Sequence, residues 1–597
     1  MTAAAPAIAA DDGWNPFEDG TGRYSRPQRK SQPRPPAPPR EDRRTAPPAD
    51  SGQAYPRAPA AADYQPQYSP QFSPGNPPAG PAAASVERGE LAPVRSANSG
   101  LPFALWQGLS AEDVERLIAP LALPVRSPAL QKLWLGILAA EDDQAGGAKL
   151  AALRAEALYR SGRLGEAAAV IAGTAGDEKN ATAQVLRARI EIARGNRDDG
   201  CRAAKQAGKN RTKITKSLRG EAIVLAGYCA IAGGNKAAAG LAAELARDLA
   251  YRNRFTLAVL DAIASGRTTK RRLPKTVSPL QYLLLQQAGF DQSERLIENA
   301  APALLVAMSS DRDTPDLVRV AAAEQAARKN VLDGKALAEA YRRSRRDLQG
   351  QAPNGSMQRA AIFKDAQQIA NPQRRTRALR ALVDSARTDG LLIPVLAAIH
   401  PIVDEIRPAP EISWFALTAI EASLVAGDYE GILPWLALAR SSDRVFEEPL
   451  HHWRVLADVA NPKTAVGQTD LFALEEMVAR GRISGPVLRR LTSVLDALDY
   501  NVPIPVWDAA NRAPQTDSGK LPPTGILSEL LEASKQRQSA KTAFLVMRAV
   551  GDFTASDAHL IALGDSIRAL RRAGFVGEAK QLAFEAVFAS WPRPRGY

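Results

Sequence analysis

Hydrophobic residues recur with the spacing of amphipathic helices from residue 101 almost to the end of the chain. Val114, Leu117 and Ile118 follow Ser110, a residue type that caps helix N-termini. A second stripe follows the pair Ser127-Pro128, and its members are Leu130, Leu133, Trp134, Ile137 and Leu138. The pattern predicts helices of about 10–18 residues separated by short breaks, and no segment alternates as a strand does. The predicted fold class is therefore all-α.

The breaks between the predicted helices share one form. Small residues and a glycine end one helix, a short polar turn follows, and closely spaced small residues open the next. Glycine adopts the left-handed conformation that ends a helix, and alanine allows two helices to approach closely. Their repetition predicts a solenoid of helix–turn–helix hairpins. The breaks contain Gly162, Gly195, Gly234, Gly427 and Gly574.

Two of these breaks resemble the turn between the two helices of a tetratricopeptide repeat (TPR). They are residues 158–167, LYRSGRLGEA, and residues 572–579, RAGFVGEA. The resemblance implies a TPR-like helical-hairpin superhelix, strongest over 149–265 and weaker over 278–591. The family's tryptophan and terminal proline are not regularly present, and the spacing departs from about 34 residues. The whole layout is also similar to uncharacterised envelope-associated helical repeat proteins of alphaproteobacteria, a resemblance that implies no activity.

The first hundred residues have a different composition. Residues 1–10, MTAAAPAIAA, resemble the end of a signal peptide with its A-x-A cleavage site, without the positive and apolar regions that precede such a site. We interpret them either as a signal-peptide remnant or as the flexible start of a cytoplasmic protein. Residues 11–100 are rich in Pro, Ala, Gln, Ser and Arg, which predicts a disordered arm. Trp14 and Phe17 in this arm are either a docking motif or incidental aromatic residues.

Composition divides the helical region into several parts. TPR-like repeats are predicted over 101–266 and further helical repeats over 278–502, with a basic, proline-containing connector between them. A Pro-rich loop is predicted over 503–525 and a C-terminal helical cap over 526–597. A closing unit of this kind suits an open repeat array, whose end otherwise exposes apolar surface.

Positive charge is concentrated in one part of the chain. The 597 residues carry a net charge of +13, and residues 200–275 hold 16 Lys and Arg against 4 acidic residues. This excess indicates an anionic partner, such as a protein surface, an envelope polymer or lipid headgroups, or else an ordinary solvated face. Nucleic acid fits less well, because no reader motif or aromatic stacking platform is evident. The predicted site consists of Arg202, Lys205, Lys209, Arg211, Lys213, Lys216, Arg219, Lys270, Arg271 and Arg272.

The two cysteines, Cys201 and Cys229, flank most of this basic segment. Successive antiparallel helices could bring them together in a disulfide that closes a loop of 29 residues. The alternative is a pair of small buried residues, since free cysteine is among the most buried residue types. A stable disulfide also depends on export to an oxidising compartment.

No pattern of residues predicts a catalytic site, a cofactor or a metal ion. The phosphate-binding loop, the dinucleotide-binding glycines and the nucleophile elbow have no counterpart in the sequence. His451 and His452 are adjacent, so on a helix they point about 100° apart and do not form a metal-binding pair. Soluble lytic transglycosylases also use a long α-superhelix, but nothing here resembles their catalytic domain.

Three functions follow from these observations, in order of preference. The first is a non-enzymatic, periplasmic scaffold of the bacterial envelope whose concave surface holds a protein or an anionic envelope polymer. The second is a cytoplasmic protein that binds nucleic acid or a membrane surface, and the third is a murein-cleaving enzyme. No run of about 18 apolar residues is present to span a membrane as a helix.

Overall fold

The helical region of the chain accounts for all residues that the structure describes. In the computed structural model these are 105–140, 147–174, 180–267, 272–290, 293–345, 355–441, 450–465, 471–514 and 519–594. All of them belong to one of two contact units, and the other unit lies outside the described residues. The predicted signal-peptide remnant, the predicted arm and the motif of Trp14 and Phe17 also lie outside them.

Within these ranges the chain forms 26 α-helices and three short 3-10 helices. Helices α1–α9 span Ala111–Ile118, Pro128–Ala139, Gly147–Arg160, Leu164–Thr174, Ala181–Ala193, Arg197–Lys209, Lys216–Ala232, Ala238–Asp248 and Arg254–Ser265. Helices α10–α18 span Pro279–Gln287, Pro302–Ser310, Asp316–Arg328, Gly334–Arg343, Gly355–Gln368, Pro372–Thr388, Leu392–Asp404, Ala416–Ala426 and Leu433–Ser441. Helices α19–α26 span His452–Ala460, Phe472–Ala479, Gly485–Ala497, Ile504–Arg512, Ile526–Lys535, Ser539–Val550, Leu560–Arg572 and Val576–Phe588. The 3-10 helices span Arg211–Lys213, Ser293–Leu296 and Pro410–Phe415.

The prediction of an all-α array of TPR-like hairpins is confirmed for the described residues. Neighbouring helices pack in pairs, among them α3 with α4, α5 with α6, α7 with α8, α14 with α15 and α16 with α17. Extended backbone in the described ranges pairs only at an isolated bridge between Val277 and Ala300. Searched for membrane spans, the same ranges contain no helix with the length and apolar character to cross a bilayer.

Local sequence signals set the ends of several helices as predicted. The Ser110 side chain accepts a hydrogen bond from the Asp113 N–H, and the Asp113 carboxylate accepts one from the Ser110 N–H, which forms a capping box on α1. Ser127 caps α2 by accepting a hydrogen bond from the Leu130 N–H. The predicted left-handed turn residues all have φ between +79° and +96°: Gly162, Gly195, Gly234, Gly427 and Gly574.

The order of the hairpins along the chain is not their order in space. Helix α10 packs on α5, α7 and α9, and α11 packs on α3 and α5, so both cover the face formed by these odd-numbered helices. Gln281 on α10 donates a hydrogen bond to the Thr256 hydroxyl on α9 at 3.1 Å. The face on which a repeat array commonly holds its ligand is thus occupied by the chain's own helices.

The C-terminal hairpin is also inserted out of sequence order. Helix α25 packs on both α21 and α23, which places the hairpin α25–α26 between α21–α22 and α23–α24. The segment 503–525, predicted as a Pro-rich loop, contains α22 at Ile504–Arg512, so that prediction is corrected over these residues. Pro503 precedes this helix and Pro505 lies in its first turn, where the missing N–H of proline costs nothing.

Helices α1 and α2 pack on α24 and α26 from the other end of the described region. Trp106 and Trp134 both contact Phe544, with ring centroids 6.1 Å and 5.7 Å away. The backbone contributes as well, because the Leu105 carbonyl accepts a hydrogen bond from the Ala540 N–H at 3.1 Å. The first and last helices of the described region therefore share one core.

Candidate functional site

Helix α6, the turn 210–215 and helix α7 carry seven of the ten basic residues that the sequence predicts as a site. We call this element the basic hairpin. Cys201 on α6 and Cys229 on α7 are joined by a disulfide, with their Cα atoms 5.6 Å apart. The bond closes a ring of residues 201–229 that encloses all seven basic residues, and Glu221 is its one acidic residue.

Two of the seven basic residues interact within the hairpin itself. The Arg219 guanidinium donates hydrogen bonds to the carbonyls of Ile214 and Thr212, both at 3.0 Å, and so fixes the turn between the helices. The Ile214 side chain is buried beneath this turn. Arg202 forms an ion pair with Asp199 one helical turn earlier. Asp199 balances the charge of Arg202, whereas Arg219 keeps its positive charge while it holds the turn.

The other five basic residues are exposed, and within the described part of the chain none of them has an ion-pair partner. Lys205 and Lys209 are four residues apart and lie on the same side of α6. Arg211 and Lys213 lie on the turn, and Lys216 is the first residue of α7. Like charges four residues apart on a helix repel each other and cost about 0.2–0.5 kcal/mol for each pair. A bound anion would relieve this repulsion. The five residues are Lys205, Lys209, Arg211, Lys213 and Lys216.

Other basic runs in the described chain are partly neutralised by neighbouring acids. Arg342 and Arg343 both pair with Glu339, at 3.1 Å and 2.8 Å. Arg375 pairs with Glu405 at 3.2 Å. Arg374 and Arg377 are exposed without an ion pair in the described residues, but the basic hairpin has five such cations within twelve residues.

Of the three remaining predicted basic residues, the structure describes only Arg272. Lys270 and Arg271 lie outside the described residues, and Arg272 follows the C-terminal end of α9. The opposite end of α9 is the one beside the hairpin, because a Cβ added to Gly220 would lie 2.8 Å from Tyr251 Cβ, just before α9 begins.

Buried carboxylates that the sequence reasoning missed connect several helices. Glu324 is fully buried and accepts hydrogen bonds from Arg359, from the Tyr341 hydroxyl at 2.8 Å and from the Ser356 hydroxyl at 2.7 Å. Burial and the charge of Glu324 raise the pKa of Tyr341, so its phenol stays protonated as the donor. A buried carboxylate with this many donors holds its helices in register.

A second buried network, centred on Arg189, has the same form. Arg189 on α5 pairs with Glu156 on α3 and, at 3.4 Å, with Glu221 on α7, and its guanidinium lies 4.3 Å from the Tyr159 ring centroid. Glu221, the one acidic residue inside the disulfide ring, therefore links the basic hairpin to two preceding helices. These ion pairs hold α3, α5 and α7 together below the exposed lysines.

One partly buried carboxylate lies between the two ends of the described region. Glu585 on α26 accepts hydrogen bonds from the Ser127 hydroxyl at 2.6 Å, from the Ala129 N–H at 3.1 Å and from the Ala555 N–H at 2.8 Å. Desolvation of the carboxyl group raises its pKa to about 7. The sequence gives an indication of this buried carboxylate, because Glu585 is the one charged residue in an apolar run that ends with Phe588.

The histidine pair has a structural environment. His451 precedes α19, and His452 is buried with its Nε2 atom 2.9 Å from the Pro592 carbonyl and its ring stacked on Trp591. In the ranges that the structure describes, no three side chains of His, Cys, Asp or Glu are grouped to hold a metal ion.

Comparison with known proteins does not extend this description. No protein-family model, curated protein or solved structure matches the chain. In the basic hairpin, five exposed cations without an ion pair lie on a backbone that a disulfide holds in place.

Proposed function

We propose that this protein is a non-enzymatic helical-repeat scaffold of the bacterial envelope that binds an anionic partner through its basic hairpin. The observation that carries the proposal is the set of five exposed cations that have no ion-pair partner among the described residues. Their backbone is fixed by the Arg219 hydrogen bonds and by the disulfide, so an anion meets charges that are already in place.

The surroundings of the hairpin favour a polyanion over other partners. The apolar residue of the turn, Ile214, is buried and offers nothing to insert into a bilayer. Tyr228, the one aromatic residue within the ring, is also buried, so bases have no stacking surface there. The basic hairpin can therefore recognise a partner only through its charge. An envelope polymer or an acidic protein segment with closely spaced anionic groups fits this kind of recognition.

The proposed location is the periplasm. A disulfide persists in oxidising compartments and is rare in the cytosol. The paired cysteines of the basic hairpin therefore support export. The resemblance in layout to envelope-associated proteins of alphaproteobacteria supports the same location.

The test is binding of inorganic polyphosphate to the whole protein, measured by fluorescence anisotropy at several salt concentrations. Each ion contact contributes about 0.7 to the slope of log affinity against log salt, so five contacts predict a slope near −3.5 and an affinity loss of about 100-fold between about 50 and 200 mM NaCl. Substituting Lys205, Lys209, Lys213 and Lys216 by Gln should reduce the slope to near −1. The matched control substitutes four other exposed lysines by Gln: Lys335, Lys463, Lys520 and Lys535.

The control variant changes net charge equally and should bind within about twofold of the wild type. Equal losses in the two variants, or binding that salt does not affect, would show that the hairpin is not the site. Polyglutamate, anionic phospholipid vesicles and single-stranded DNA serve as competing ligands. Stronger binding of vesicles or DNA than of either polyanion would favour the cytoplasmic alternative over the envelope scaffold.

A further inference from the structure

Helix α6 is held in place by unusually small side chains. Its buried residues are Gly200, Ala203, Ala204 and Ala207, and no larger side chain of this helix is buried. The flanking helices differ, since α5 and α7 bury several Leu, Ile and Val side chains each. Because hydrophobic stabilisation follows the apolar area removed from water, α6 contributes little to its own anchoring.

The contact between α6 and α5 is close but depends on the absence of side-chain atoms. A Cβ added to Gly200 would lie 2.6 Å from Ile192 Cγ1 and 2.9 Å from the Ala188 carbonyl oxygen. These small groups bury little apolar area, so large side chains contribute little to holding α6 beside its neighbours. Apart from the backbone at its two ends, the disulfide of Cys201 is the covalent link from α6 to an adjacent helix.

The position of the disulfide connects this weakly anchored helix to the proposed function. Lys205 and Lys209 lie on α6, whereas Arg211, Lys213 and Lys216 lie on the turn and α7. A common anion can contact both groups only while α6 keeps its place beside α7. Both cysteines are partly exposed, so a small reductant can reach the bond.

We propose that the Cys201–Cys229 disulfide is a reducible clamp that sets the affinity of the basic hairpin for its anionic partner. This inference rests on the proposed function. A thiolate of a dithiol reductant attacks one cysteine sulfur, forms a mixed disulfide with it and releases the other cysteine as a thiolate. The second thiol of the reductant then attacks the reductant sulfur of the mixed disulfide and releases the first cysteine as a thiolate. The protein gains two thiols while the reductant becomes a disulfide. The freed α6 must then be ordered during binding, and that entropy cost lowers the affinity.

The experiment uses the full chain with polyphosphate as the probe, before and after treatment with dithiothreitol. Hydrogen exchange of the α6 amides is measured in both states, with the α24 amides as an internal reference. We expect reduction to weaken binding about tenfold and to accelerate exchange in α6 but not in α24. The double variant Cys201→Ser, Cys229→Ser should match the reduced wild type, and dithiothreitol should not change it.

The outcomes separate the clamp from the proposed function. If the four-lysine variant loses binding while reduction changes neither affinity nor α6 exchange, the clamp is refuted and the anion site stands. If the oxidised wild type does not bind any of the anionic ligands, the proposed function fails, and the clamp fails with it as a control of binding. Faster exchange in α6 and α24 together would indicate general unfolding and would also refute a clamp that acts on α6.

Discussion

The carboxyl group of Glu585 should make the stability of this protein depend on pH in the direction opposite to that of most carboxylates. One of its oxygens accepts hydrogen bonds from Ser127 and Ala129 at the start of α2, and the other accepts one from Ala555. Desolvation is the largest influence on this group, and the Asp557 charge acts in the same direction. Together they raise its pKa from 4.5 to about 7.

The sign of the effect follows from proton binding. Between the unfolded pKa of 4.5 and the folded pKa of about 7, the folded state holds more protons than the unfolded state. The stabilisation is therefore complete below the unfolded value and is lost as the pH rises through the folded value. A shift of about 2.5 units corresponds to about 3 kcal/mol in total, of which about 2.5 kcal/mol is lost between about pH 5 and pH 8.

Substitution of Glu585 by Gln removes this titration. Urea unfolding followed by tryptophan fluorescence gives the free energy of unfolding at each pH. The difference between wild type and variant should change by about 2.5 kcal/mol from about pH 5 to pH 8, with the wild type losing stability relative to the variant. The amide N–H₂ group of Gln faces a donor, so absolute stability falls, and the pH slope is the informative quantity.

The matched control is Glu244→Gln, because Glu244 is an exposed carboxylate on α8. Its curve should follow that of the wild type across the pH range. A difference between wild type and Glu585→Gln that stays constant from acid to alkaline pH would refute the assigned pKa. A difference of the opposite sign would mean that the hydrogen-bond donors outweigh the desolvation.

Three further predictions concern packing. Arg359→Met leaves the fully buried Glu324 with only its longer ion pair to Arg328, at 3.5 Å, and should cost about 3 kcal/mol in urea unfolding, whereas adding Glu324→Met should recover part of this loss. Trp134→Ala removes a fully buried ring between the first and last helices and should cost about 3–5 kcal/mol; a loss under about 1 kcal/mol would argue against that contact. Gly334→Ala places a Cβ 2.4 Å from Ala397 Cβ and 2.8 Å from its backbone, so thermal unfolding should show a loss of about 1–3 kcal/mol.

Features encoded within a few residues could be predicted from the sequence. The caps at Ser110 and Ser127 and the left-handed glycine at Gly162 are decided by local hydrogen bonds and backbone sterics. The exposure of Lys205 and Lys209 follows likewise from their spacing on one helix face. For the same reason the helix–turn–helix units were evident without any three-dimensional information.

The spatial order of the hairpins could not be predicted in this way. Helices α10 and α11 cover α5 because their apolar faces fit there, and no spacing rule along the chain encodes that choice. Glu585 shows the same limitation, since its partner Ser127 lies 458 residues earlier. The loop prediction at 503–525 failed for a local reason: prolines were taken as breaks, although Pro505 lies in a first helical turn that accepts proline.

The packing of α1 and α2 on α24 and α26 has a consequence for synthesis of the chain. Ser127 is made 458 residues before Glu585, a delay of roughly 20–90 s at about 5–20 residues per second. During that time the apolar side of α2, including Trp134, has none of its C-terminal partners to cover it. A nascent or C-terminally truncated chain therefore exposes apolar surface on α2 until α24 and α26 have been synthesised.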